Sequence, residues 1–186
     1  MNFERRLLKR IIQDNALIFK KVKLSSGMQS NYYFNIKKIL LHPEYVNLVT
    51  NQIVKILIEE NCCCIGGLAF GAIPLISAIA LRSWDLGHLM YAFYIRPKAK
   101  NHGLENQIEG YLVKGLKIHL IDDVITTGNS ILNAIDILEK LGHKVSKVIT
   151  VIDRSNGIAK QKLAEKNIKL TSLYLAEEFD ILTNGD

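Results

Sequence analysis

The chain has 186 residues, of which 48% are hydrophobic and 23% charged, a composition typical of one folded globular domain rather than a disordered chain. Its formal net charge of +6 suits acidic partners such as nucleic acid or a polyanionic metabolite, but the lysines form no block of like charge. No apolar stretch has the length of a bilayer span, and the first ten residues lack a signal-peptide apolar region, so we expect a cytoplasmic protein.

The N-terminal 40 residues predict a small appendage, or hood. Apolar residues at helical spacing predict an amphipathic helix from Glu4 to Asp14, which we expect to pack on its own domain rather than on an anionic membrane. From Phe19 to Lys38 the chain alternates between apolar and polar residues around a Ser25–Gly27 turn, which predicts a hairpin.

From His42 onward, helices alternate with strands, which predicts an α/β fold with a largely parallel sheet and helices on both faces. The predicted elements are, in order, a helix from His42 to about Glu60, strand Cys62–Leu68, helix Ile73–Arg82, strand Leu89–Ile95, strand Lys117–Ile121 with a helix to Leu141, strand Val145–Ile152, helix Ile158–Lys166 and strand Ile168–Leu175. The three cysteines, Cys62 to Cys64, are consecutive, and neighbours in a strand point to opposite faces. We therefore expect small core side chains in a reducing compartment, not a disulfide or metal site.

Residues 96–110 break the alternation. They show little periodicity, several cations and glycines at positions 103 and 110. A polar loop of this length inside a domain is usually functional or disordered, so we expect a mobile, cationic flap.

The segment Ile118 to Ile131 holds the most informative motif. A predicted buried strand is followed by Asp122 and Asp123, and then by a Thr-Thr-Gly turn that opens an amphipathic helix. Ligands of open α/β sheets bind beyond the carboxyl ends of the strands, where hydroxyls and helix N-terminal amides favour a phosphate. Carboxylates beside such an anion site suit sugar hydroxyls or a bridging Mg²⁺, so the motif predicts a phosphorylated-sugar site. Ordinary capping and turn chemistry is the alternative for the acid pair.

This motif resembles the phosphoribosyl diphosphate (PRPP) signature of type I phosphoribosyltransferases, in which two acids precede a small, hydroxyl-rich loop. The resemblance implies that fold for residues 1–186 as a single domain: a mostly parallel central sheet flanked by helices, a hood over residues 1–40 and a mobile catalytic loop over residues 96–110. It also implies that Mg²⁺ arrives with PRPP and has no direct protein ligand. The PRPP-binding residues that it implies are Arg96, Lys98, Lys100, His102, Asp122, Asp123, Val124, Ile125, Thr126, Thr127, Gly128, Asn129 and Ser130.

Three further segments resemble the orotate phosphoribosyltransferases in particular. Residues 96–110 match their catalytic loop at Arg96, Lys100, His102, Gly103 and Ile108–Gly110, Leu24–Lys38 matches their opening hood stretch, and Val151–Gly157 matches their strand-end Asp-Arg. The resemblance implies transfer of phosphoribosyl from PRPP to orotate in pyrimidine synthesis, with Lys100, Asp122 and Asp123 as catalytic residues. The orotate-binding residues that it implies are Thr126, Arg154, Tyr33 and Phe34.

The same resemblance implies a homodimer in which the catalytic loop is shared across subunits, with no nucleic-acid or membrane partner. The chain departs from the family pattern at several positions. Pro97 stands in place of the usual second loop lysine, with Lys98 beside it, and Ser25 and Gly71 stand where one branch has lysines. Asn101 replaces a frequent acid, and Glu105–Gln107 replaces a more basic stretch. Two alternatives stay open. One is a phosphoribosyltransferase for a purine or uracil, which would not need Arg154, and the other is a non-catalytic regulator that senses PRPP and binds nucleic acid.

Overall fold

The computed structural model describes residues 3–23, 29–96 and 107–181, which form six helices and eight strands. The helices are α1 (Phe3–Asn15), α2 (Lys37–Leu40), α3 (Pro43–Glu59), α4 (Ile73–Asp85), α5 (Asn129–Lys140) and α6 (Ile158–Glu165). The strands are β1 (Leu17–Lys23), β2 (Gln29–Phe34), β3 (Cys64–Leu68), β4 (Tyr91–Ile95), β5 (Ile108–Gly110), β6 (Ile118–Ile125), β7 (Val145–Asp153) and β8 (Lys169–Leu175), and a 3₁₀ turn follows at Ala176–Glu178.

A six-stranded sheet positions the site. Its order is β5-β4-β3-β6-β7-β8, and among these described strands only β5 runs antiparallel to its neighbour. Strands β4 and β6 lie on opposite sides of β3, so the direction of winding reverses between β3 and β6. In open α/β sheets, ligands bind at such a switch point, beyond the carboxyl ends of the strands.

The core has two parts, one on each face of the sheet. Helices α1 to α4 cover one face, where Ile121 and Ile149 belong to their cluster of buried side chains. Helices α5 and α6 cover the other face with Leu120 and Val148. Side chains of β6 and β7 pack against the helices on both faces of the sheet. Most residues in the buried part of these strands are therefore apolar, as is typical of parallel strands buried on both sides.

Within the hood, residues 1–40, strands β1 and β2 form an antiparallel pair, and α1 contacts the far edge of the central sheet. Arg5 on α1 donates to the carbonyl of Leu173 at 2.6 Å and pairs with Glu178 at 3.0 Å. The Tyr174 hydroxyl donates to the carbonyl of Arg5 at 2.7 Å. The N-terminal helix is therefore held to the last strand, as expected for packing within the chain, and no described helix is long and apolar enough to cross a bilayer.

The alternation of helices and strands follows the prediction, but some boundaries were wrong. Strand β6 continues to Ile125 instead of ending at Ile121, because β7 runs beside it and pairs Asp122 with Thr150 and Ile125 with Asp153. The acid pair therefore belongs to the strand. The last three residues of the predicted flap form the edge strand β5, and Lys37–Leu40 form α2 instead of continuing the hairpin. Strands β3 and β4 begin two residues later than predicted, at Cys64 and Tyr91.

The three cysteines are free thiols. Cys62 and Cys64 are fully buried, and burial raises the pKa of the Cys62 thiol to about 11. A thiol with so high a pKa is a poor nucleophile at neutral pH, which agrees with the predicted role as a small core side chain. The predicted Ser25–Gly27 turn lies outside the described residues.

Candidate active site

A pocket of about 310 Å³ lies where β6 passes into α5. It is lined by Asp122, Val124, Ile125, Thr126, Thr127, Gly128, Asn129, Ser130, Ile131 and Asn133. Gly128 is the N-cap of α5 and has a φ of +77°, a left-handed conformation that glycine adopts without strain. Hydroxyls and free helix N-terminal amides thus surround one pocket, an arrangement that favours a phosphate.

Asp122 lines this pocket, Asp123 is the next residue, and both belong to β6. The backbone amide of Asp123 donates to Asp122 Oδ1 at 3.0 Å, and that of Val124 donates to Asp123 Oδ1 at 3.0 Å. Burial and the adjacent Asp123 carboxylate raise the pKa of Asp122 well above its ordinary value of 3.8. An acid with a raised pKa can exchange hydrogen bonds with sugar hydroxyls as donor or acceptor, which suits the predicted ribose contact.

Asp123 is enclosed by two elements that the local sequence motif does not contain. A Cβ on Gly71, which lies just before α4, would come within 2.7 Å of Asp123 Oδ1. Lys37, in α2, lies with its Nζ 3.8 Å from Asp123 Oδ2. Because Gly71 has no side chain, it leaves the space that Asp123 occupies. The cation beside Asp123 comes instead from Lys37 in the hood.

Arg154 connects the end of β7 to the hood. Its guanidinium donates to Ser30 Oγ at 2.9 Å and to the Tyr32 carbonyl at 3.3 Å, and it lies 4.4 Å from the centre of the Tyr32 ring. Its backbone amide donates to the carbonyl of Ile125 at 2.9 Å. The structure therefore brings Arg154 and Thr126, two of the four predicted acceptor residues, to the carboxyl ends of adjacent strands.

The other two predicted acceptor residues lie in β2. Tyr33 is half-buried, whereas Phe34 is only 7% exposed and packs edge-on against Phe179 with ring centres 5.0 Å apart. The Phe34 side chain therefore belongs to the core, and any contact that this residue makes with a substrate has to use its backbone.

Arg96 marks the base of the segment predicted to be the catalytic loop. Its backbone amide donates to the carbonyl of Gln107 at 2.8 Å, and its guanidinium pairs with Glu109 at 2.6 Å. Glu109, which the sequence pattern marked only as part of a motif, thus orients the predicted pyrophosphate-binding arginine. Pro97, Lys98, Lys100 and His102 lie outside the described residues.

The sequence predicts that Mg²⁺ arrives with PRPP and has no direct protein ligand. Within the described ranges, no group of three or more His, Cys, Asp or Glu side chains is placed to hold a metal ion. Magnesium commonly keeps several waters and binds through one or two carboxylates together with substrate phosphates. An ion at this site would therefore be held mainly by the phosphates and hydroxyls of the substrate, beside Asp122 and Asp123.

Sequence reasoning missed two cations near the site. Lys37 was part of a matched hood segment but was given no role, and Lys162 on α6 donates to the carbonyl of Thr127 at 3.2 Å and to Asn129 Oδ1 at 2.8 Å. A lysine in an amphipathic helix looks like any solvated surface residue, so no local signal distinguishes Lys162.

Comparisons with known proteins agree with this geometry. The family model for the phosphoribosyl transferase domain matches residues 42–173. An orotate phosphoribosyltransferase from a Bradyrhizobium species is 39% identical over 163 residues, covering 86% of this chain and 88% of that protein. One from Rhodopseudomonas palustris is 36% identical over 173 residues, covering 91% and 92%. The crystal structure of the Mycobacterium tuberculosis orotate phosphoribosyltransferase has a TM-score of 0.79 and 28% identity, covering 96% of this chain and 99% of that one.

The chain belongs to the phosphoribosyltransferase family, because the family model covers most of it and the fold and the pocket after β6 agree with that assignment. Within the family it is similar to orotate phosphoribosyltransferases over nearly its whole length. The predicted fold, with its mostly parallel sheet flanked by helices, is confirmed.

Proposed function

We propose that the protein is an orotate phosphoribosyltransferase, which transfers the phosphoribosyl group of PRPP to orotate and yields orotidine 5′-monophosphate and pyrophosphate in de novo pyrimidine synthesis. The observation that carries the proposal is the pocket at the end of β6, where two carboxylates adjoin an amide-rich loop at the start of a helix. The named relatives, which match this chain over most of its length, support orotate as the acceptor.

On the donor side, the loop from Thr126 to Ser130 binds the 5′-phosphate through backbone amides and hydroxyls, and Val124 and Ile125 carry the backbone from the acids to this loop. Asp122 and Asp123 hold the ribose hydroxyls. As the bond to pyrophosphate breaks, positive charge develops on the ribose, and nearby carboxylate oxygens stabilise it. Bound Mg²⁺ would lie beside these carboxylates and neutralise charge on the leaving pyrophosphate.

On the acceptor side, Arg154 presents a planar fork of donors that matches the carboxylate of orotate. Its contacts with Ser30 and Tyr32 fix the side chain at the edge of the hood. Thr126, Tyr33 and the backbone of Phe34 complete the acceptor site.

Pyrophosphate requires further cations. Arg96 stands at the base of the catalytic loop, and we assign Lys98, Lys100 and His102 of that loop to the same task, with Lys100 acting as negative charge builds on the leaving group. We also assign the protein to the cytoplasm, in keeping with the family's role in pyrimidine synthesis.

A homodimer with shared loops is part of the proposal. Leu81 and Trp84, one turn apart on α4, are 67% and 68% exposed, and Phe70 just before this helix is 77% exposed. Large apolar side chains exposed along one element favour a protein partner. A second copy on this face would give the closed two-fold arrangement that is common among homo-oligomers and that a loop shared between subunits requires.

The direct test is the loss of orotate absorbance when PRPP and Mg²⁺ are added. Orotate should be consumed with release of one pyrophosphate, whereas uracil and hypoxanthine should react far more slowly. Turnover of either control base at a rate like that of orotate would refute orotate as the acceptor, and a protein that shifts mixed RNA or DNA but releases no pyrophosphate would refute catalysis.

The shared loop has its own test. Lys100→Ala and Asp123→Asn should each be inactive as homodimers, but mixed subunits should regain part of the activity, because a heterodimer then contains one site with both residues intact. Mixing two preparations of the same variant is the control. Absence of rescue in a heterodimer whose formation has been shown directly would mean that each site is built within one chain.

A further inference from the structure

Helix α6 packs against the side of the phosphate loop where Lys162 lies. Ala159 is fully buried, and a Cβ on Gly128 would stand 3.1 Å from the Cβ of Ala159, so the loop lies directly on the helix. One turn further along α6, Lys162 Nζ donates to the Thr127 carbonyl at 3.2 Å and to Asn129 Oδ1 at 2.8 Å. The helix therefore contacts three consecutive residues of the loop.

Ala159, Lys162 and Lys166 are three and four residues apart, so they share one face of the helix. Lys166 reaches a different target: its Nζ pairs with Asp136 at 2.9 Å and with Glu139 at 2.8 Å, both on α5. The same face thus carries two lysines that join α6 to the loop–α5 unit, and of the two it is Lys162 that contacts the loop itself.

The Lys162 contact fixes the orientation of a peptide unit. In a planar trans peptide, the carbonyl and the following N–H point in opposite directions. Because the Thr127 carbonyl points toward Lys162, the Gly128 N–H points away from it. A rotated Thr127–Gly128 peptide would instead expose a carbonyl oxygen where an anion has to bind, and glycine, with its wide conformational range, does little to prevent that rotation.

We propose that Lys162 is a positioning residue for the phosphate loop: it holds the Thr127–Gly128 peptide in the orientation that directs amide donors to the 5′-phosphate of the substrate. Lys162 is not among the pocket-lining residues, so it acts through the loop and not by touching the substrate. Its contact with Asn129 Oδ1 also leaves the amide group of that side chain to donate elsewhere. The inference rests on the proposed assignment of this loop to the 5′-phosphate.

The test compares Lys162→Met with Lys166→Met, a matched change on the same helix face. Binding of ribose 5-phosphate and of pyrophosphate is measured by calorimetry, and KM and kcat are measured for PRPP. Lys162→Met should weaken ribose 5-phosphate binding and raise the KM for PRPP about tenfold, the loss expected for a charge-assisted hydrogen bond. Pyrophosphate binding should not change, and Lys162→Arg, which keeps a cationic donor, should restore most of the affinity.

Lys166→Met should leave all of these quantities near the wild-type values, while any loss of helix stability would appear in its unfolding temperature. Equal losses of ribose 5-phosphate affinity in the two variants would overturn the proposal, because α6 would then act only as a scaffold. An unchanged affinity in Lys162→Met would overturn it as well. If the wild-type protein binds ribose 5-phosphate but does not convert orotate, orotate is refuted as the acceptor, whereas the role of Lys162 is not affected.

Discussion

Replacement of Arg154 tests how the acceptor is recognised. A hydrogen bond to a charged group contributes about 1.5–3 kcal/mol, which corresponds to a factor of about 10 to 150 in affinity. Arg154→Ala should therefore raise the KM for orotate by about that factor at saturating PRPP, because the guanidinium is the group assigned to the orotate carboxylate. Turnover at saturating orotate should fall much less, since the carboxylate is bound equally in the ground state and the transition state.

Arg154 also contacts the hood, so the experiment needs a control that separates this contact from acceptor binding. Its bonds to Ser30 Oγ and to the Tyr32 carbonyl would vanish in the same variant. Ser30→Ala removes the side-chain partner in the hood and keeps the guanidinium, so it separates the two roles. We expect this change to alter the KM for orotate by less than about fivefold, the effect of one ordinary hydrogen bond.

The assay follows orotate absorbance, with uracil as a second acceptor. Uracil lacks the carboxylate, so Arg154→Ala should lower discrimination between the two bases by the same factor by which it raises the KM for orotate. An unchanged KM would exclude Arg154 from the acceptor site. A Ser30→Ala variant as impaired as Arg154→Ala would show that the arginine acts through the hood and not through the carboxylate.

Gly71→Ala should lower kcat/KM for PRPP by about tenfold or more, because the added Cβ would lie 2.7 Å from Asp123 Oδ1 and displace that acid. Unchanged steady-state kinetics would show that the segment around Gly71 moves instead of Asp123. Acidification from pH 7 to pH 5 should lower the free energy of unfolding, because burial holds the pKa of His119 below its ordinary value of 6.5 despite its bond to Glu60. As the pH falls from 6.5 toward the lowered pKa of the folded state, His119 binds more protons in the unfolded chain than in the folded one, so the folded state loses stability. Urea titration measures this loss, and an equal loss in His119→Gln would contradict the assignment. Glu60→Gln should cost about 3 kcal/mol in a urea titration, because it leaves the Lys147 ammonium, 8% exposed, without its carboxylate partner. The double change Glu60→Gln/Lys147→Met should recover most of that loss, and strictly additive effects would mean that the two residues do not interact.

The order of helices and strands could be predicted because it depends on local hydrophobic periodicity. The motif from Ile118 to Ile131 likewise predicted the strand, turn and helix that surround the pocket, since these three elements are contiguous there. The end of β6 could not be predicted in this way. An apolar run stops at Ile121, but the hydrogen bonds that extend the strand come from β7, whose own apolar run continues to Ile152.

Contacts between distant segments could not be predicted from the sequence patterns either. Arg154 and Ser30 are 124 residues apart, and Lys162 and Thr127 are 35 residues apart. The first pair depends on how the hood lies over the sheet, and the second on α6 following a strand that is the direct neighbour of β6. Short β5 was missed for a similar reason: three residues carry no periodicity, and their strand geometry comes from pairing with β4.

Two lysines from distant segments lie near the two carboxylates and the proposed phosphate site. Neighbouring negative charges disfavour each other and would repel an anionic substrate. Lys37 approaches Asp123 from the hood, while Lys162 lies against the phosphate loop from α6, so each part of the site has a cation within 4 Å. The net charge of +6 gives no hint of this arrangement, because the same composition could spread its lysines over any surface. The fold, and not the composition, places Lys37 beside Asp123 and Lys162 beside Thr127 and Asn129.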